Sequence, residues 1–597
     1  MSKLWSISTT VRNPERLRDF LRVLKALEGE QFDEENQKKY QVLLIKNKLY
    51  KPTDIPRKYA NYYSNPTLRM DYDVAEEIFD YQQYESPSMR GRQSANPLSK
   101  LGFAIAREQE GKIIITELGN RFLADNYDVG YIFFKSLLKL QFPNPWSKHF
   151  SAKHGFDVVP FIAAMHLISL VNKLTGEKGL TKTEFSYFVP SLINYSLIDR
   201  YAKHIVEYRK TKDKEKYLLG FAREFYGVKR PSREQLNNFT EYGDNTMRYF
   251  RLTRYFRVDI SSFGADWRMD LEPTRRVEID HLLRKFDGGS IKFKSLEEYL
   301  EYLSDIELPS LPFENIGSLR KISKYLIDKI NDNVRLNHIE LEAKERSLLT
   351  TGVDSIDQNE LKRLIDDLRG FGRDIAQKAE KTRLLNNVDV IKEFIVLLND
   401  NRKIRALSPE LFEKAIASIL RILNDEISIK PNYPMDDNGE PIGHAPGNRP
   451  DIECFYKSYN AIIEVTLDVS NFQWVRETQP VMRHLREFEK NSNHKNNYCL
   501  FIAPKIHQDT SYHFWFAVTN GYDGAEQSIV PLTARQLSLI LEALLELIAK
   551  GRKMSHNRLM SLYDGIVEAA QRVNGHTEWV NGIDDLISAW KGSILAK

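Results

Sequence analysis

Acidic residues between positions 411 and 504 are spaced as a metal-dependent phosphodiesterase requires. Asp451 directly precedes a β-rich run at 452–456, and Glu464 lies near the end of a second run at 461–465. The polar residues between the two runs predict a hairpin of buried strands, which brings both carboxylates to one end of a sheet. Carboxylates that close can share a hard cation through oxygen ligands, and Mg²⁺ is the natural occupant.

Two predicted helices flank these strands and carry further ionisable groups. Upstream, a capping serine and Pro409 at the first helical position begin a helix that carries Glu413. Downstream, residues 474–490 have helical periodicity. Glu477 and His484 are seven residues apart on that helix, hence on one face and two turns from each other. Such a face can supply a general base or a group that orients water.

The order of acidic helix, Pro-Asp strand, Glu strand, helix and apolar strand resembles the PD-(D/E)xK nuclease core. The HAPGNRPD run, the EVT ending and the ETQPVMRH helix further resemble the type IIS restriction endonucleases of the AlwI and MlyI kind and the related site-specific nicking endonucleases. The resemblance implies an active-site set at the matching positions, which are Glu413, Asp451, Glu464, Glu477 and His484. We expect Asp451 and Glu464 to hold Mg²⁺ with help from the Val465 carbonyl, and Glu413 to complete or share a second metal position.

One position departs from the wider superfamily, because the usual lysine two residues after the second acid is Thr466 here. A threonine cannot bring a positive charge to the attacking water. We expect Glu477 or His484 to cover that role, with the two joined by a hydrogen bond and His484 acting on the water and not as a metal ligand. His444 and Asn448, in the approach to the first acid, are candidates for contact with DNA or the metal shell, and an ordinary loop role is an equal alternative for His444.

Composition places the chain among large globular proteins. It has 597 residues, of which 42% are hydrophobic and 28% charged, enough for several domains. Two cysteines, no signal-peptide pattern and no apolar run near twenty residues indicate a reducing compartment and no membrane span. The resemblance implies the cytoplasm of a bacterial cell. The net charge of +4 is a weak argument for nucleic acid, so the distribution of charge matters more.

The predicted fold is multidomain α+β. Residues 1–126 and 127–310 are expected to form two winged-helix-like DNA-recognition subdomains. Residues 311–402 form a helical linker, and residues 403–597 form an α/β PD-(D/E)xK nuclease domain. In the first subdomain, runs at 101–106 and 112–116 predict a two-stranded wing followed by a helix. In the second, Thr181 and Glu184 form a capping pattern, and the Pro-rich segment at 308–315 is the preferred joint.

Basic residues in the first half are the candidates for DNA contact. Guanidinium groups and small polar donors suit phosphates and base edges, and the alternatives of a solvated basic loop and a solvated helical face stay open. In MRYFRLTRYFR, arginines recur at every third position, as on one broad helical face. The predicted contacts are Arg90, Arg92, Ser94, Asn96, Lys100, Lys182, Arg248 and Arg251.

These observations together predict a type IIS-like restriction endonuclease that binds a short asymmetric sequence in double-stranded DNA and cuts at a fixed distance from it. Separate recognition and cleavage domains would permit that offset. Two alternatives remain. One is a strand-specific nickase, for which a transient homodimer or a small second nuclease subunit would cut the other strand. The other is an inactive DNA-binding protein, which Thr466 favours, although five clustered ionisable groups argue against a dead site because like charges disfavour one another without a cation.

Overall fold

The computed structural model describes the chain except residues 1–2, 9, 65–67, 108–110, 125–127, 146–149, 260–267, 386, 424, 446–448 and 597. Apolar side chains in the described part pack into two large cores. The first extends from Leu4 to Ile375 and also includes Ile442. The second extends from Leu384 to Ile594. The division between the cores therefore falls near position 380, well beyond the Pro-rich joint.

The first 123 residues form a helical unit with a short hairpin. The predicted hairpin is present, with shorter strands than expected, and Ala104 pairs with Ile115 in antiparallel register. Thr116 caps the helix that follows, its hydroxyl accepting a bond from the Gly119 amide. The elements are α1 (Leu17–Lys25), α2 (Glu34–Lys46), α3 (Ala60–Ser64), α4 (Tyr72–Tyr81), α5 (Pro87–Lys100), β1 (Ala104–Ile105), β2 (Ile114–Ile115) and α6 (Glu117–Leu123).

The second unit surrounds a three-stranded antiparallel sheet of order β3-β5-β4. The predicted capping box is confirmed: the Thr181 hydroxyl accepts from the Glu184 amide and the Glu184 carboxylate accepts from the Thr181 amide. The elements are α7 (Val129–Lys139), α8 (Pro160–Thr175), β3 (Leu180–Thr181), α9 (Lys182–Phe188), α10 (Ile198–Lys210), α11 (Lys214–Tyr226), α12 (Arg233–Leu252), β4 (Phe256–Asp259), β5 (Arg268–Leu271), α13 (Arg276–Lys285) and α14 (Leu296–Ser304).

The prediction of one arginine-bearing helical face is wrong. Helix α12 ends at Leu252. Arg254 follows in the left-handed region, with φ of 63°, and Arg257 lies on β4. The arginine spacing therefore crosses a helix end and a turn, so its members do not share a face.

The helical region after the Pro-rich segment packs against the units before it. The Lys135 ammonium donates to the backbone oxygens of Glu307 and Pro309, at 3.1 and 2.8 Å. Leu311 and Phe313 are buried in the first core. Leu311 and Phe313 thus attach the Pro-rich segment to the first core, while Leu308, Ser310 and Asn315 are exposed. The helices are α15 (Ile316–Leu336), α16 (Ala343–Leu349), α17 (Gln358–Leu384), α18 (Val388–Leu398) and α19 (Asn401–Ala406).

The last third of the chain contains a five-stranded mixed sheet of order β10-β9-β8-β7-β6. Strands β6, β7 and β8 pair antiparallel, and β8, β9 and β10 pair parallel. Among the described helices, none combines the length and apolar character that a membrane crossing requires. The elements are α20 (Pro409–Leu423), β6 (Ser428–Pro431), β7 (Ile452–Phe455), β8 (Asn460–Val465), α21 (Gln473–Asn491), β9 (Asn497–Ala503), α22 (Gln508–Asn520), β10 (Ile529–Thr533), α23 (Ala534–Ala549), α24 (His556–Arg572), α25 (His576–Asn581) and α26 (Ile583–Ala596).

Candidate active site

The β7–β8 hairpin brings two acids to one end of the sheet. Ile452 is opposite Ile463 in the antiparallel register, so the residue before β7 faces the end of β8. Accordingly, the Val465 amide donates to Asp451 Oδ2 at 2.7 Å. Glu464, the neighbouring residue on β8, is 7% exposed. Burial, and then the charge of Glu464, raise the pKa of Asp451. The register of two paired strands is thus what places these carboxylates together.

Helix α20 adds a third carboxylate to this group. Glu413 is 4% exposed and accepts a bond from the Ala445 amide at 3.4 Å. Burial, and then the charge of Asp451, raise the pKa of Glu413 to about 10. The structure therefore brings Glu413 close enough to the hairpin acids to interact with them electrostatically, at the position that the sequence indicates.

Helix α21 contributes the remaining two groups, with different partners from those expected. His484 Nδ1 lies 2.7 Å from Glu464 Oε1, whereas Glu477 Oε1 accepts from the Thr466 hydroxyl at 2.9 Å. The predicted hydrogen bond between His484 and Glu477 is wrong. Seven residues span about 10.5 Å along a helix, so Glu477 and His484 are too far apart to bond to each other. They instead contact Thr466 and Glu464, which are two residues, or about 6.7 Å, apart on the neighbouring extended segment.

The carboxylates repel one another in a poorly hydrated site. Burial raises the pKa of Asp451 and of Glu464 well above the usual range, and the charge of Glu477 raises the pKa of Glu464 further, while Arg483 opposes this shift. Burial, and then the charge of Arg483, lower the pKa of His484 to about 4. The imidazole is therefore neutral near pH 7. Because the raised pKa values disfavour ionised carboxylates, a cation that binds here would displace protons from them and offset their mutual repulsion.

Oxygen donors of this kind fit Mg²⁺. Asp451 and Glu464 supply carboxylate oxygens, and the Val465 carbonyl belongs to the same strand end. Within the part of the chain that the structure describes, no three side chains of His, Cys, Asp or Glu are already arranged as a metal centre. A cation held here would therefore draw its other ligands from the backbone, water or the phosphate, as Mg²⁺ commonly does.

Replacing Glu413 by glutamine should raise the melting temperature of the metal-free protein more at pH 8 than at pH 5. Because the pKa of Glu413 is higher in the folded protein than its ordinary value of 4.5, folding takes up a proton above that value. The contribution to stability therefore falls as pH rises from 4.5 toward the folded pKa. Glutamine lacks this proton exchange. Thermal unfolding in EDTA at both pH values measures the difference.

A matched control for this measurement is Glu546→Gln, which removes a half-exposed carboxylate paired with Lys591 at 2.6 Å. Its effect on the melting temperature should be small at both pH values, because exposed ion pairs contribute little. A Glu413→Gln effect of equal size at pH 5 and pH 8 would contradict the assignment of a protonated, buried Glu413.

A cleft of about 580 Å³ reaches the site from the side of β7 and α21. His484 lines it, and so do Pro450, which precedes the first acid, and Arg449. A phosphate group entering this cleft would meet His484 and the approach to Asp451. The other walls are formed mainly by β7, the second half of α21 and the segment that follows it, with Glu453, Glu487 and His494 among their residues.

The predicted DNA contacts near the first hairpin lie on helix α5. Arg92 is exposed, Asn96 is half-buried, and the Arg90 guanidinium covers the Tyr84 ring at 5.2 Å. The structure corrects the prediction for the other two. Ser94 is 2% exposed and donates to Gln41. The Lys100 ammonium donates to the Ser6 backbone oxygen at 2.8 Å, and desolvation lowers the pKa of Lys100 to about 7.

Of the predicted DNA contacts in the second unit, two are partly exposed and one is buried. Lys182 and Arg248 are partly exposed and pair with Asp244 at 3.3 and 3.2 Å. Arg251 is 8% exposed, and its guanidinium contacts the Pro441 backbone oxygen and, at 3.5 Å, Glu410 on α20. The expected DNA contact of Arg251 is therefore corrected, because this arginine joins the second unit to the catalytic region.

The segment between β6 and β7 connects the two halves of the chain through ion pairs and hydrogen bonds, which the sequence analysis did not predict. Asp437 pairs with Arg275 at 2.8 Å and with Arg373 at 3.7 Å. Asn438 donates to Glu272 at 2.7 Å. The acid-rich turn MDDNGE predicts a loop. The local sequence does not indicate that its partners lie more than sixty residues away along the chain.

The two residues singled out in the approach to Asp451 have different outcomes. The ring of His444 lies 3.2 Å from the Asn13 amide nitrogen, which is a contact with the first unit and not with the carboxylates. Asn448 lies outside the described residues.

The candidate site thus combines a neutral histidine with crowded carboxylates at one end of the sheet. The family model described as AlwI restriction endonuclease matches residues 99–540, about three quarters of the chain. The chain belongs to the AlwI restriction endonuclease family, which implies a DNA nuclease. No curated protein sequence matches the chain.

Solved structures of restriction endonucleases are also similar to the chain. The small subunit of the heterodimeric restriction endonuclease R.BspD6I is 24% identical, with 32% of this chain and 97% of that chain covered, at a TM-score of 0.28. Restriction endonuclease FokI is 12% identical, with 94% and 99% covered, at a TM-score of 0.22. FokI bound to DNA is 10% identical, with 90% and 98% covered, at a TM-score of 0.22. Scores this low do not establish a shared fold.

Proposed function

We propose that the protein is a Mg²⁺-dependent, type IIS-like restriction endonuclease that binds a short asymmetric DNA sequence and hydrolyses phosphodiester bonds at a fixed distance from it. The observation that carries the proposal is the convergence of three carboxylates and His484 at the end of the β7–β8 hairpin. This convergence occurs in a chain of the AlwI restriction endonuclease family. A solvated set of surface acids would not be buried and mutually repelling in this way.

The proposed layout assigns a role to each part of the chain. The α5–β1–β2–α6 unit and the unit around the β3-β5-β4 sheet would be winged-helix-like readers of DNA, and the last third a PD-(D/E)xK nuclease. Arg90, Arg92, Asn96, Lys182 and Arg248 are the proposed DNA contacts. The protein would act in the bacterial cytoplasm.

In the proposed mechanism, Asp451 and Glu464 would hold Mg²⁺ with the Val465 carbonyl, and the cation would supply Lewis-acid stabilisation and a more acidic water. His484 donates Nδ1–H to Glu464, which leaves Nε2 as the proton acceptor. Nε2 then takes a proton from the attacking water. Glu477 fixes the Thr466 hydroxyl at the strand end. Glu413, which interacts with the hairpin acids, would complete or share a second metal position.

Incubation with supercoiled plasmid and Mg²⁺, followed by run-off sequencing of both strands, tests the function. We expect cuts at a constant distance from one asymmetric sequence, and no cuts in EDTA. Cuts at random positions would exclude site-specific cleavage. An intact plasmid under all metal conditions would favour the DNA-binding alternative.

A second candidate is strand-specific nicking, which the same experiment separates from double-strand cleavage. The described part of the chain contains one such cluster around Asp451, and one hydrolytic centre cuts one strand at a time. Cleavage of the second strand would then require a transient homodimer or a small second nuclease subunit. Open-circular product with breaks in one strand only identifies a nickase.

A further inference from the structure

Arg483 on α21 lies against the proton-accepting side of His484. Its Nη2 is 3.4 Å from His484 Nε2, while the opposite ring nitrogen of His484 faces Glu464. The Arg483 side chain is 28% exposed. The guanidinium is therefore next to the atom that would receive the proton of the attacking water, with a route to solvent.

Arg483 forms only a long ion pair with Glu487. Its Nε is 3.9 Å from Glu487, near the limit of an ion pair, on the exposed side of the helix. Both His484 and Glu487 line the cleft beside β7 and α21. Because Arg483 contacts His484 and His484 lines the cleft, the guanidinium lies one contact away from the cleft, on the Nε2 side of the imidazole.

A phosphodiester that enters this site brings a negative charge toward carboxylates, and Thr466 offers no positive charge to offset it. Arginine is suited to this task because its planar guanidinium stays charged and donates two parallel N–H bonds to phosphate oxygens. A second arginine of α21, Arg476, is 63% exposed and is paired with Asp468 at 3.2 Å. Burial raises the pKa of Glu477 and of Glu464. The charge of Arg476 opposes this rise at Glu477, whereas the charge of Arg483 opposes it at Glu464. Arg476 is therefore a matched control for Arg483 on the same helix.

We propose that Arg483 binds a non-bridging oxygen of the scissile phosphate and supplies there the positive charge that Thr466 cannot. This inference rests on the proposed nuclease function. The water oxygen forms the new bond to phosphorus, its proton passes to His484 Nε2, and the bond from phosphorus to the leaving oxygen breaks, that oxygen taking a proton from solvent. Arg483 keeps its protons throughout and donates N–H bonds to the oxygen on which charge accumulates.

The test compares R483Q, R483K and the control R476Q on a duplex containing the site mapped in the plasmid experiment. We expect R483Q to lower the single-turnover cleavage rate in Mg²⁺ by roughly 10²–10³-fold, as for loss of one donor to a developing oxyanion. Binding of the uncut duplex in Ca²⁺ should change little. R483K, which keeps the charge, should lose less, and R476Q should cleave at nearly the wild-type rate.

A duplex with a methylphosphonate at the scissile position distinguishes contact with the phosphate from support of His484. Removing one charged oxygen should slow the wild-type protein and R476Q strongly, and should add little to the defect of R483Q. Additive losses would overturn the contact, and so would R483Q cleaving as fast as wild type. If the wild-type protein cleaves and D451A does not, either of these outcomes rejects the Arg483 inference and leaves the proposed nuclease function standing. If wild type cleaves no duplex, the proposed function itself fails.

Discussion

Asp451→Ala and Glu464→Ala should each abolish DNA cleavage and leave sequence-specific binding nearly intact in Ca²⁺. Glu464 is buried and Asp451 is half-buried at the β7–β8 strand end, where they are the proposed ligands of the catalytic cation. They are far along the chain from the proposed recognition contacts, so their loss should not alter base reading. Cleavage is measured on the mapped duplex in Mg²⁺, and binding by gel shift of the same duplex in Ca²⁺.

Asp509→Ala is the control for loss of an acid in the same region, because Asp509 is half-exposed in the first turn of α22. It should cleave at close to the wild-type rate. A near wild-type rate in either active-site variant would exclude this site. Loss of specific binding in both variants would show that the catalytic region takes part in recognition.

The site's position could be predicted from sequence because its main determinants are local. Two short β-rich runs and the polar residues between them define the β7–β8 hairpin, and the antiparallel register then places Asp451 beside Val465. The pairing of His484 could not be predicted in the same way. Spacing on α21 correctly put Glu477 and His484 on one face, but their partners depend on how the helix lies across the sheet.

Helix α5 shows why the fold of the first unit was harder to predict. Its sequence, PSMRGRQSANPLSK, contains glycine, serine and two prolines, which weaken a helix in isolation. Packing decides the outcome, since a Cβ on Gly91 would lie 1.8 Å from the Gln37 backbone oxygen of α2. Glycine thus permits the close helix contact that fixes α5 and buries Ser94. A local reading of the same letters suggests a basic loop.

Long-range ionic contacts were equally inaccessible to sequence patterns. Arg251 was a reasonable candidate for phosphate contact, since arginines near aromatic residues commonly serve that role. In the structure its guanidinium reaches the Pro441 backbone oxygen, 190 positions away. A buried charge needs a partner, but only the fold decides whether that partner is DNA or another part of the chain.

His484→Ala should lower the cleavage rate by roughly 10²–10⁴-fold, the usual range for loss of a general base. The Nδ1 contact with Glu464 at 2.7 Å orients the ring, and the pKa of about 4 keeps the imidazole neutral and able to accept a proton at neutral pH. Alanine removes the acceptor and leaves the hairpin acids in place, so metal affinity should change much less than the rate.

Single-turnover cleavage and titration of Mn²⁺ into the DNA-bound protein together test this role for His484. His494→Ala is the matched control, because His494 also lines the cleft but lies after the end of α21, and it should retain both rate and metal binding. If His484 acts on water, its alanine variant binds Mn²⁺ nearly as wild type does but cleaves slowly. A loss of Mn²⁺ binding as large as that of Asp451→Ala would instead make His484 a metal ligand, and the proton would then need another acceptor, for which Glu477 beside Thr466 is the nearest candidate on the same helix face.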